Sequence, residues 1–570
     1  MRTPWLMSTR ARSLVTVMRA FVLVFGTAAL WLGRDGMNPD GVAYLDVSDV
    51  YLTGDRASGS GYWSPLYPML LALARLIGGT QPARELAIAQ VVNFVAFLAA
   101  FAALEFFIRS MRLVTAERHP GAVPNDLAWR VLVYALFAVV TVGWIRLWLL
   151  TPDMLVAAIV LAVAGVSIRI AIDRAGWASV VMLGVLLGLG YLTKAALLPV
   201  GIVVIVTLAF VVRRRRSPGW PARIAVATGL FLIIAAPQAI YVSRTSGRPT
   251  FSDVGRLSYL WFIAGVPGPI SSAFALPVRL PPPDGEPHTL ETLDPSRDGG
   301  PAVYDVVAPL PGTLPVWYDA GYWYRDVTAP LYPLQIARAL VRNARVYLEV
   351  FGFLLVGGLA SMVAGRLSRR EGSAIQPAWV IVIPALAACV MYALILVQTR
   401  YVAPFALPLF AGLVPPWAVD DLSRRLRRGF AVGAVAALPL VLHQVKVDTA
   451  VWRGSASVRE SFVAALTARG IGPGTRLAFV GDAYDAHWAR LGRLRFVTLL
   501  PRAEAPRLWH LDEVERTKVL DGMTRSGAQA IIAESPVPGM SFAGWQRLPP
   551  AGAASPELLL HGAAPGVARR

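Results

Sequence analysis

Four ionisable residues of this sequence stand at the ends of long apolar runs, where a charged side chain is costly. Asp40 follows the first apolar run, and Asp153 begins the run "DMLVAAIVLAVAG". Lys194 interrupts "GLGYLTKAALLP", and Arg400 lies in "LVQTRYVAPF". Ionisable groups in or beside hydrocarbon are rare and are by default candidates for function. Two carboxylates and two cations suit the transfer of a group from a lipid phosphate to a hydroxyl.

The two kinds of side chain would divide this chemistry between them. A carboxylate in a partly desolvated cleft can take the proton of an acceptor hydroxyl as a general base. An arginine grips a leaving phosphate through two N–H groups, and a lysine adds a point charge. A second carboxylate can orient the acceptor or hold a divalent metal.

Each of the four residues also has a purely structural explanation. Asp153 is well placed to cap a helix and to meet the positive end of its dipole. Arg400 can anchor at the lipid headgroups through its long side chain, and Lys194 can mark a tight turn between two helices. Three further acidic residues after Asp40 are expected to be solvated loop residues without a chemical role: Asp46, Asp49 and Asp55.

The composition assigns the chain to the integral membrane proteins. Of its 570 residues 56% are hydrophobic and 16% are charged, and the mean hydropathy is +0.54. Soluble domains are about one quarter charged. The formal net charge of +19 does not indicate a nucleic-acid partner, because the arginines concentrate between alternate apolar runs. The single cysteine, Cys389, excludes an intrachain disulfide.

About eleven apolar runs are long enough to cross a membrane as helices. Their approximate centres are Ala20–Leu32, Ala87–Phe107, Trp129–Gly143, Met154–Ile170, Val180–Leu192, Ala195–Val212, Ile224–Tyr241, Val346–Ala364, Trp379–Val397, Val402–Trp417 and Phe430–His443. A further apolar segment, Tyr62–Gly79, contains two prolines and Arg75. It is expected to be an interfacial or re-entrant helix.

The arginines predict the orientation of these spans. Every second connecting segment is rich in arginine, as cytoplasmic loops are, and the run "RRRR" at 213–216 is the most marked. The N-terminus then lies in the cytoplasm, with its first apolar run as a retained signal-anchor. This predicts a multi-pass protein of the cytoplasmic (inner) membrane with outer loops at 34–85 and 243–342. The second loop is long and rich in proline and aromatic residues, so we expect an ordered lid, with disorder as the alternative.

The residues after the last span have the pattern of a small α/β domain. Predicted strands are "TRLAFVGD", "LRFVTLLP" and "AQAIIAES", and predicted helices are "AYDAHWARLG" and "ERTKVLDGMTRSG". Strands that alternate with helices favour a parallel sheet. The turn "VGDAYD" lacks the glycine-rich dinucleotide fingerprint, so no nucleotide is predicted. The chain thus divides into a transmembrane domain, 1–445, and a C-terminal extracytoplasmic domain, 446–570.

A set of motifs, in this order along the chain, gives the sequence a family resemblance. They are "PDGVAYL", "YWSPLYPMLLALARLIGG", "TPDMLVAA", "GLGYLTKAALLP" and "TRYVAPFALPLF". Together they resemble the GT-C glycosyltransferases, and in particular the bacterial relatives of protein O-mannosyltransferases and of the aminoarabinose transferase that acts on lipid A. The similarity covers about residues 15–420.

The resemblance implies a GT-C-like fold and a sugar donor linked to polyprenyl phosphate in the membrane. The sugar would pass, with inversion, to a hydroxyl of a cell-envelope glycan, lipid or protein at the outer face. It implies that Asp40 is the catalytic base and that Lys194 and Arg400 bind the phosphate. Asp153 would position the acceptor or a metal. Contacts to sugar or lipid are expected from Tyr44, Trp63 and Tyr401.

Two positions depart from the family pattern. Gly41 stands where a second acidic residue is frequent, and Ser64–Pro65 stands where the family has two prolines. The loss of the second acidic residue weakens the expectation of a metal. A divalent metal held by Asp40 and Asp153 is therefore left open, and no other cofactor is expected.

Two other classes of function compete with the transferase. One is a transporter or flippase for a lipid-linked or small polar substrate, although such proteins often contain internal repeats, and none is visible in this sequence. The other is a non-catalytic membrane scaffold, which predicts that the four ionisable residues lie apart. Their convergence in an outward cleft favours the enzyme, whereas a path to the inner face favours transport.

Overall fold

Helices make up most of the protein in this computed structural model. The structure describes residues 9–55, 59–118, 126–266, 301–306, 310–348, 352, 377–413, 416, 421–450, 452–536, 543–551 and 557–561. Much of the predicted lid, including "RLPPPDGEPH", lies outside these ranges, as do Arg366, Arg369 and Arg370 of one predicted cytoplasmic segment.

The chain up to residue 450 is built almost entirely from helices. Their bounds are α1 (Thr9–Leu32), α2 (Pro39–Thr53), α3 (Leu66–Gly78), α4 (Pro82–Arg118), α5 (Leu127–Ala138), α6 (Asp153–Ala171), α7 (Trp177–Thr193), α8 (Leu197–Arg214), α9 (Trp220–Thr245), α10 (Val254–Phe262), α11 (Pro315–Tyr318), α12 (Ala320–Trp323), α13 (described over 333–348), α14 (Trp379–Ala393), α15 (Thr399–Leu413) and α16 (Asp421–Ala450). Helix α5 continues as a π-helical segment, Val139–Ile145.

The predicted polytopic helical membrane protein is confirmed. Within the described residues seven helices are long and apolar enough to cross a membrane: α1, α4, α5 with its continuation, α6, α8, α9 and α16. Helices α3, α7 and α14 are shorter and apolar. The predicted span Val346–Ala364 lies largely outside the described residues, and so do residues 414, 415 and 417 at the end of the predicted span Val402–Trp417, most of which is α15.

The stretch predicted as an outer loop at 34–85 is mostly helical, and its outer location stays a prediction. Proline at the first turn of α2 suits a helix start, because its missing N–H has no partner there in any helix. Gly54 ends α2 with a left-handed backbone, φ 77°. Helix α3 confirms the predicted helix within Tyr62–Gly79, and its 13 residues span only about 20 Å. It is therefore too short to cross a bilayer core of about 30 Å.

The break between α7 and α8 lies at Lys194, as the sequence predicts. Its backbone is extended, with φ −154° and ψ 122°, and its N–H still bonds the carbonyl of Gly190 at 2.9 Å. Helix α7 packs closely on α9 through two small positions, Gly184 and Gly188. A Cβ at Gly184 would meet the carbonyl oxygen of Ala227 at 2.5 Å, so glycine is what permits this approach.

The residues after α16 form the predicted α/β unit. It consists of α17 (Ser455–Thr467), β2 (Arg476–Gly481), a 3-10 turn (Ala483–Asp485), α18 (His487–Leu491), β3 (Arg495–Pro501), α19 (Ala505–His510), α20 (Glu513–Arg525), β4 (Ala530–Glu534), β5 (Trp545–Arg547) and β6 (Leu558–His561). The three predicted strands correspond to β2, β3 and β4, and both pairs, β2–β3 and β2–β4, are parallel.

The sheet is larger than the sequence predicts. Its order is β1-β3-β2-β4-β6-β5, and the added strands at both edges pair antiparallel. Strand β1 (Tyr304–Asp305) belongs to residues 243–342, called here the long segment. Val306 continues the pairing, because its N–H donates to the carbonyl of Val497 at 2.8 Å. The long segment and the C-terminal unit therefore share one sheet.

They also share one hydrophobic core. Leu260 and Trp261 of α10 and Trp323 of α12 are buried in the same cluster as Phe479 and Phe496 of the sheet. The proposed division at 445/446 falls inside α16, which runs on to Ala450. The two-domain division stays a prediction.

Candidate active site

A cavity of about 670 Å³ lies where α2, α6, α7, α8 and α15 meet the long segment and the C-terminal unit. This volume is within the usual range of ligand pockets, roughly 300–1,000 Å³. All seven residues that the sequence predicts for the site line it: Asp40, Tyr44, Trp63, Asp153, Lys194, Arg400 and Tyr401. The fold thus brings together residues that are up to 361 positions apart in the chain, from 40 to 401.

The four ionisable residues, called here the ionic quartet, form two linked ion pairs. Arg400 Nη2 lies 2.8 Å from Asp40 Oδ2, and Lys194 Nζ lies 2.6 Å from Asp153 Oδ1. Arg400 Nε is 4.0 Å from Asp153 Oδ2, which joins the pairs. Asp153 is buried, with 2% of its side chain exposed, whereas Asp40 and Arg400 keep 18% and 19%. The formal charges cancel, so the quartet tolerates burial.

Each member of the quartet is placed by the end of a helix. Asp40 is in the first turn of α2, and Asp153 opens α6 after Pro152, so both carboxylates face positive helix ends. Lys194 stands in the break after α7, and Arg400 is the second residue of α15. Helix ends gather at one end of the bundle, which is why distant residues converge.

Tyr401 supports the two cations. Lys194 Nζ lies 4.0 Å from the centre of its ring, and the guanidinium carbon of Arg400 lies 5.1 Å from it. Tyr392 stacks on Tyr401 with ring centres 5.5 Å apart. The cations are therefore held by an aromatic face as well as by carboxylates.

Tyr44 and Trp63 lie on the other side of Asp40. Their ring centres are 4.7 Å apart, and Tyr44 also meets Tyr67 edge-on at 5.0 Å. The indole of Trp63 donates to the carbonyl oxygen of Trp317 at 3.1 Å. This hydrogen bond fixes Trp63 against the long segment.

The cavity also contains aromatic residues that the sequence analysis did not assign to the site. They are Tyr62, Phe251, Trp261, Phe262, Trp317, Tyr392 and Tyr484. The aromatic richness of "VWYDAGYWYRD" was the available signal for Trp317. Tyr484 gave none, because it lies in the turn "VGDAYD" of the C-terminal unit.

Two of the three acidic residues expected to be solvated are not. Asp46 is 4% exposed and accepts hydrogen bonds from the N–H of Thr313 at 2.9 Å and its hydroxyl at 3.0 Å. Asp49 pairs with Arg75 at 2.7 Å and also with Arg490. Both predictions were wrong because this stretch is a packed helix, α2, and not a loop. Asp55 is exposed, as predicted.

Asp46 and Asp49 belong to a six-charge cluster of three acids and three arginines. Its members are Asp46, Asp49, Arg75, Glu85, Arg490 and Arg493. Glu85 pairs with Arg75 at 2.6 Å, with Arg490 at 2.9 Å and with Arg493 at 2.5 Å. Burial acts to raise the pKa of Asp49, but the neighbouring guanidinium groups, Arg490 first, outweigh burial and lower the pKa. The cluster joins α2, α3 and α4 to α18.

Asp319 holds the segment before α3 against the long segment. Its buried carboxylate accepts from the N–H groups of Gly61 and Gly321, each at 2.9 Å. Gly61 is two residues before Trp63, so this contact helps to fix one wall of the cavity. Burial raises the pKa of Asp319 to about 6, although the hydrogen bonds from Gly61 and Gly321 act in the opposite direction.

Asp40 and Asp153 are the carboxylates that line the cavity, and each is paired with a cation of the quartet. Among the described residues, no three side chains of His, Cys, Asp or Glu are grouped as metal ligands. Mg²⁺, however, is usually held by one or two carboxylates together with waters and substrate phosphates. A divalent metal at Asp40 and Asp153 therefore stays a prediction.

Comparison with solved structures confirms the GT-C-like fold. The chain is similar to ArnT from Cupriavidus metallidurans in the apo state, with a TM-score of 0.52 at 15% identity over 97% of this chain and 99% of that one. ArnT bound to undecaprenyl phosphate gives a TM-score of 0.47 at 16% identity, covering 96% and 98%. An Archaeoglobus fulgidus oligosaccharyltransferase in complex with Zn and sulfate gives 0.45 at 12% identity, covering 91% and 68%.

No protein family and no curated protein matches this sequence. Fold and site together define a multi-pass membrane protein of the GT-C-like architecture, with a charged cavity between its helices and its C-terminal unit. The chain shares this fold with ArnT.

Proposed function

We propose that this protein is a glycosyltransferase that moves a hexosyl or pentosyl group from a polyprenyl-phosphate donor to an acceptor hydroxyl. The observation that carries the proposal is the convergence of two carboxylates and two cations in one cavity beside apolar helices. The fold shared with ArnT and the five sequence motifs support it.

In this mechanism Asp40 is the general base. Its carboxylate takes the proton of the acceptor hydroxyl while the oxygen attacks the anomeric carbon, and the bond from that carbon to the phosphate oxygen breaks. The attack comes from the face opposite the phosphate, so the configuration inverts. Arg400 Nη2 lies 2.8 Å from Asp40 Oδ2 and thereby fixes the position of the carboxylate.

Lys194 and Arg400 stabilise the phosphate that leaves. The reaction adds negative charge to this group, and two cations in a water-poor cavity meet that charge without reorganising. Asp153, which is 2% exposed, holds the Lys194 ammonium at 2.6 Å and so positions it, and it also orients the acceptor. Tyr401 keeps both cations over its ring.

The same proposal includes the location of the reaction. The arginine-rich segments support a cytoplasmic N-terminus in the cytoplasmic membrane. The helix ends that carry the quartet and the C-terminal unit would then face outward. The acceptor would be a glycan, lipid or protein of the cell envelope.

The convergence of the quartet also bears on the two competing classes. The scaffold predicted that the four residues lie apart, whereas they line one cavity. The transporter predicted a path lined by these residues to the inner face. They instead gather at one end of the helices that carry them, which favours the transferase.

Transfer in vitro tests the proposal. Purified protein in lipid would receive radiolabelled polyprenyl-phosphate sugars and cell-envelope acceptors, with wild type compared with Asp40→Asn. We expect donor consumption by the wild type and a loss of about 10²–10⁴-fold in the variant, the usual contribution of a general base. Near-normal turnover by a folded Asp40→Asn would remove Asp40 from this role. No turnover with any donor, together with movement of a labelled lipid across the bilayer, would favour the transporter.

A further inference from the structure

Five aromatic side chains form a continuous surface of the cavity, called here the aromatic wall: Tyr62, Trp63, Trp261, Trp317 and Tyr484. Trp317 is its centre. Its ring centre lies 5.7 Å from that of Trp63, 6.3 Å from that of Trp261 and 5.1 Å from that of Tyr484. Trp261 lies nearly parallel to it, at 29°. The catalytic steps proposed above leave most of this surface without a role.

Three separate parts of the chain build the wall. Tyr62 and Trp63 precede α3, Trp261 and Trp317 belong to the long segment, and Tyr484 belongs to the C-terminal unit. Tyr484 is six residues before Arg490, which anchors the unit to α2 through Asp46 at 2.7 Å and to Glu85 at 2.9 Å. The C-terminal unit is thus held where its tyrosine reaches the cavity.

Two polar atoms of the wall are buried and lack a partner. The indole Nε1 of Trp317 and the hydroxyl of Tyr484 make no hydrogen bond to any part of the chain that the structure describes. Buried polar groups are nearly always hydrogen-bonded, so such an exception needs an explanation. Both side chains are partly exposed in the cavity wall, and a small rotation would turn each polar atom toward a ligand hydroxyl.

The charges of the cavity narrow the class of ligand. Among the described residues that line it, the charged side chains are those of the quartet, which the proposed mechanism assigns to the base and the phosphate. The wall itself offers flat apolar faces and neutral hydrogen-bonding groups. A sugar ring matches both, because it has an apolar C–H face and a rim of hydroxyls. A phosphorylated acceptor would find no further cation there.

We propose that the aromatic wall is the acceptor subsite, that it binds a neutral oligosaccharide, and that the C-terminal unit contributes to acceptor recognition through Tyr484. This inference rests on the proposed function and names the class of its acceptor. Trp317 provides the face on which a sugar ring stacks. The Trp317 indole donates to a sugar hydroxyl, and the Tyr484 hydroxyl donates to or accepts from another.

Binding to protein in lipid nanodiscs tests the wall separately from catalysis. The probes are maltotriose, mannotriose and xylotriose, with a Ser/Thr hexapeptide and a phosphorylated disaccharide as competitors of other chemistry. Polyprenyl phosphate, titrated alone, reports the donor side. The variants are Trp317→Ala and Tyr484→Phe, and the second removes one oxygen atom without changing the ring. Tyr322→Phe is the matched control, because Tyr322 does not line the cavity.

We expect at least one neutral trisaccharide to bind to wild type and to Tyr322→Phe. Its affinity should fall about tenfold in Trp317→Ala, the size of one aromatic stacking contact. In Tyr484→Phe it should fall several-fold, with polyprenyl phosphate binding unchanged. Thermal unfolding of each variant shows whether it is folded, and Tyr484→Phe decides the question if Trp317→Ala is not.

The two proposals fail in different ways. Binding of polyprenyl phosphate without any neutral trisaccharide, or binding of the hexapeptide or the phosphorylated disaccharide in their place, would overturn the acceptor subsite and leave the transferase standing. Trisaccharide binding that is equal in all variants would also overturn it. Failure to bind polyprenyl phosphate, with no donor consumed, would instead overturn the proposed function.

Discussion

Arg490 Nη1 lies 2.7 Å from Asp46 Oδ1, although the two residues are 444 positions apart in the chain. Both side chains are buried, at 5% and 3% exposed. Asp46 is six residues after Asp40 on α2, a rise of about 9 Å along the helix. The C-terminal unit therefore contacts α2, the helix that carries the proposed base Asp40.

Removal of Arg490 should destabilise the protein strongly. Arg490→Met leaves Asp46 buried without its cation and removes one of the three arginines around Glu85; breaking a buried ion pair typically costs about 3–5 kcal/mol. The midpoint of thermal unfolding in nanodiscs should fall, and transfer should fall with it. Arg502→Met is the control, since Arg502 pairs with Glu534 but is 52% exposed, and exposed pairs are worth at most about 1 kcal/mol. Equal unfolding midpoints for the two variants would contradict a structural role for the cluster.

Lys194→Met should weaken donor binding, and it should also lower the unfolding midpoint, because it leaves the buried Asp153 without its 2.6 Å partner. A charge-assisted hydrogen bond to phosphate contributes about 1.5–3 kcal/mol, so the dissociation constant of polyprenyl phosphate should rise about 10–100-fold. Lys446→Met is the matched control, because Lys446 of α16 does not line the cavity. A donor affinity in Lys194→Met that equals that of the control would remove Lys194 from the phosphate site.

Gly41→Ala should impair transfer, because the first turn of α2 packs directly on Leu150. A Cβ at position 41 would lie 2.8 Å from the Cβ of Leu150, so α2 must shift and move Asp40 with it. A displacement of about 1 Å in an active site can cost about 10²-fold in rate. Gly229→Ala in α9 is the control, since a Cβ there meets nothing within 4 Å. Full turnover by Gly41→Ala would mean that α2 adapts without moving its base.

Asp319 should make stability depend on pH. Its pKa is raised in the folded protein to about 6, from a model-peptide value of 3.8, mainly by burial, and Asp253 is the nearby charge that adds to this. The folded state therefore binds the proton more tightly than the unfolded state. The contribution of Asp319 to the free energy of unfolding is greatest below a pH of about 4. It declines as pH rises through about 6, by up to about 3 kcal/mol.

The comparison that isolates Asp319 is with Asp319→Asn, which does not titrate. The unfolding midpoint of wild type relative to this variant should fall as pH rises from about 4.5 to about 7. Differential scanning of both proteins in nanodiscs across this range gives the result. A constant difference would show that Asp319 is not the titrating group.

Chelation should leave transfer intact. The carboxylates of Asp40 and Asp153 are already paired with Arg400 and Lys194, whose charges would repel a divalent ion. Turnover measured after EDTA treatment should equal that of untreated protein. Loss of activity that Mg²⁺ or Mn²⁺ restores would show that a metal completes the site.

The sequence predicts the site better than it predicts the contacts that support it. Asp153 and Lys194 are conspicuous because a charge beside an apolar run is costly, and this local signal needs no partner to be noticed. Asp46 and Arg490 give no such signal. Each looks like an ordinary polar surface residue until the fold places them together and excludes water.

The same limit explains the missed strands. Strands β2, β3 and β4 are central. Each has five to seven residues, most of them buried and apolar, and such runs are recognisable in a sequence. Strand β1 has two residues and is a strand only because β3 lies beside it. Its pairing is a property of the tertiary structure, which a local pattern does not contain.

The shared sheet also has a consequence for the order in which the protein is made. The ribosome adds Tyr304 of β1 long before Arg495 of β3, and at about 5–20 residues per second the delay is roughly 10–40 s. During this time β1 has no β3 to pair with, and Asp46 of α2 lacks its partner Arg490. The cavity wall is therefore complete only after Tyr484 has been added, so we expect a shorter nascent chain to lack the part of the wall that the C-terminal unit supplies.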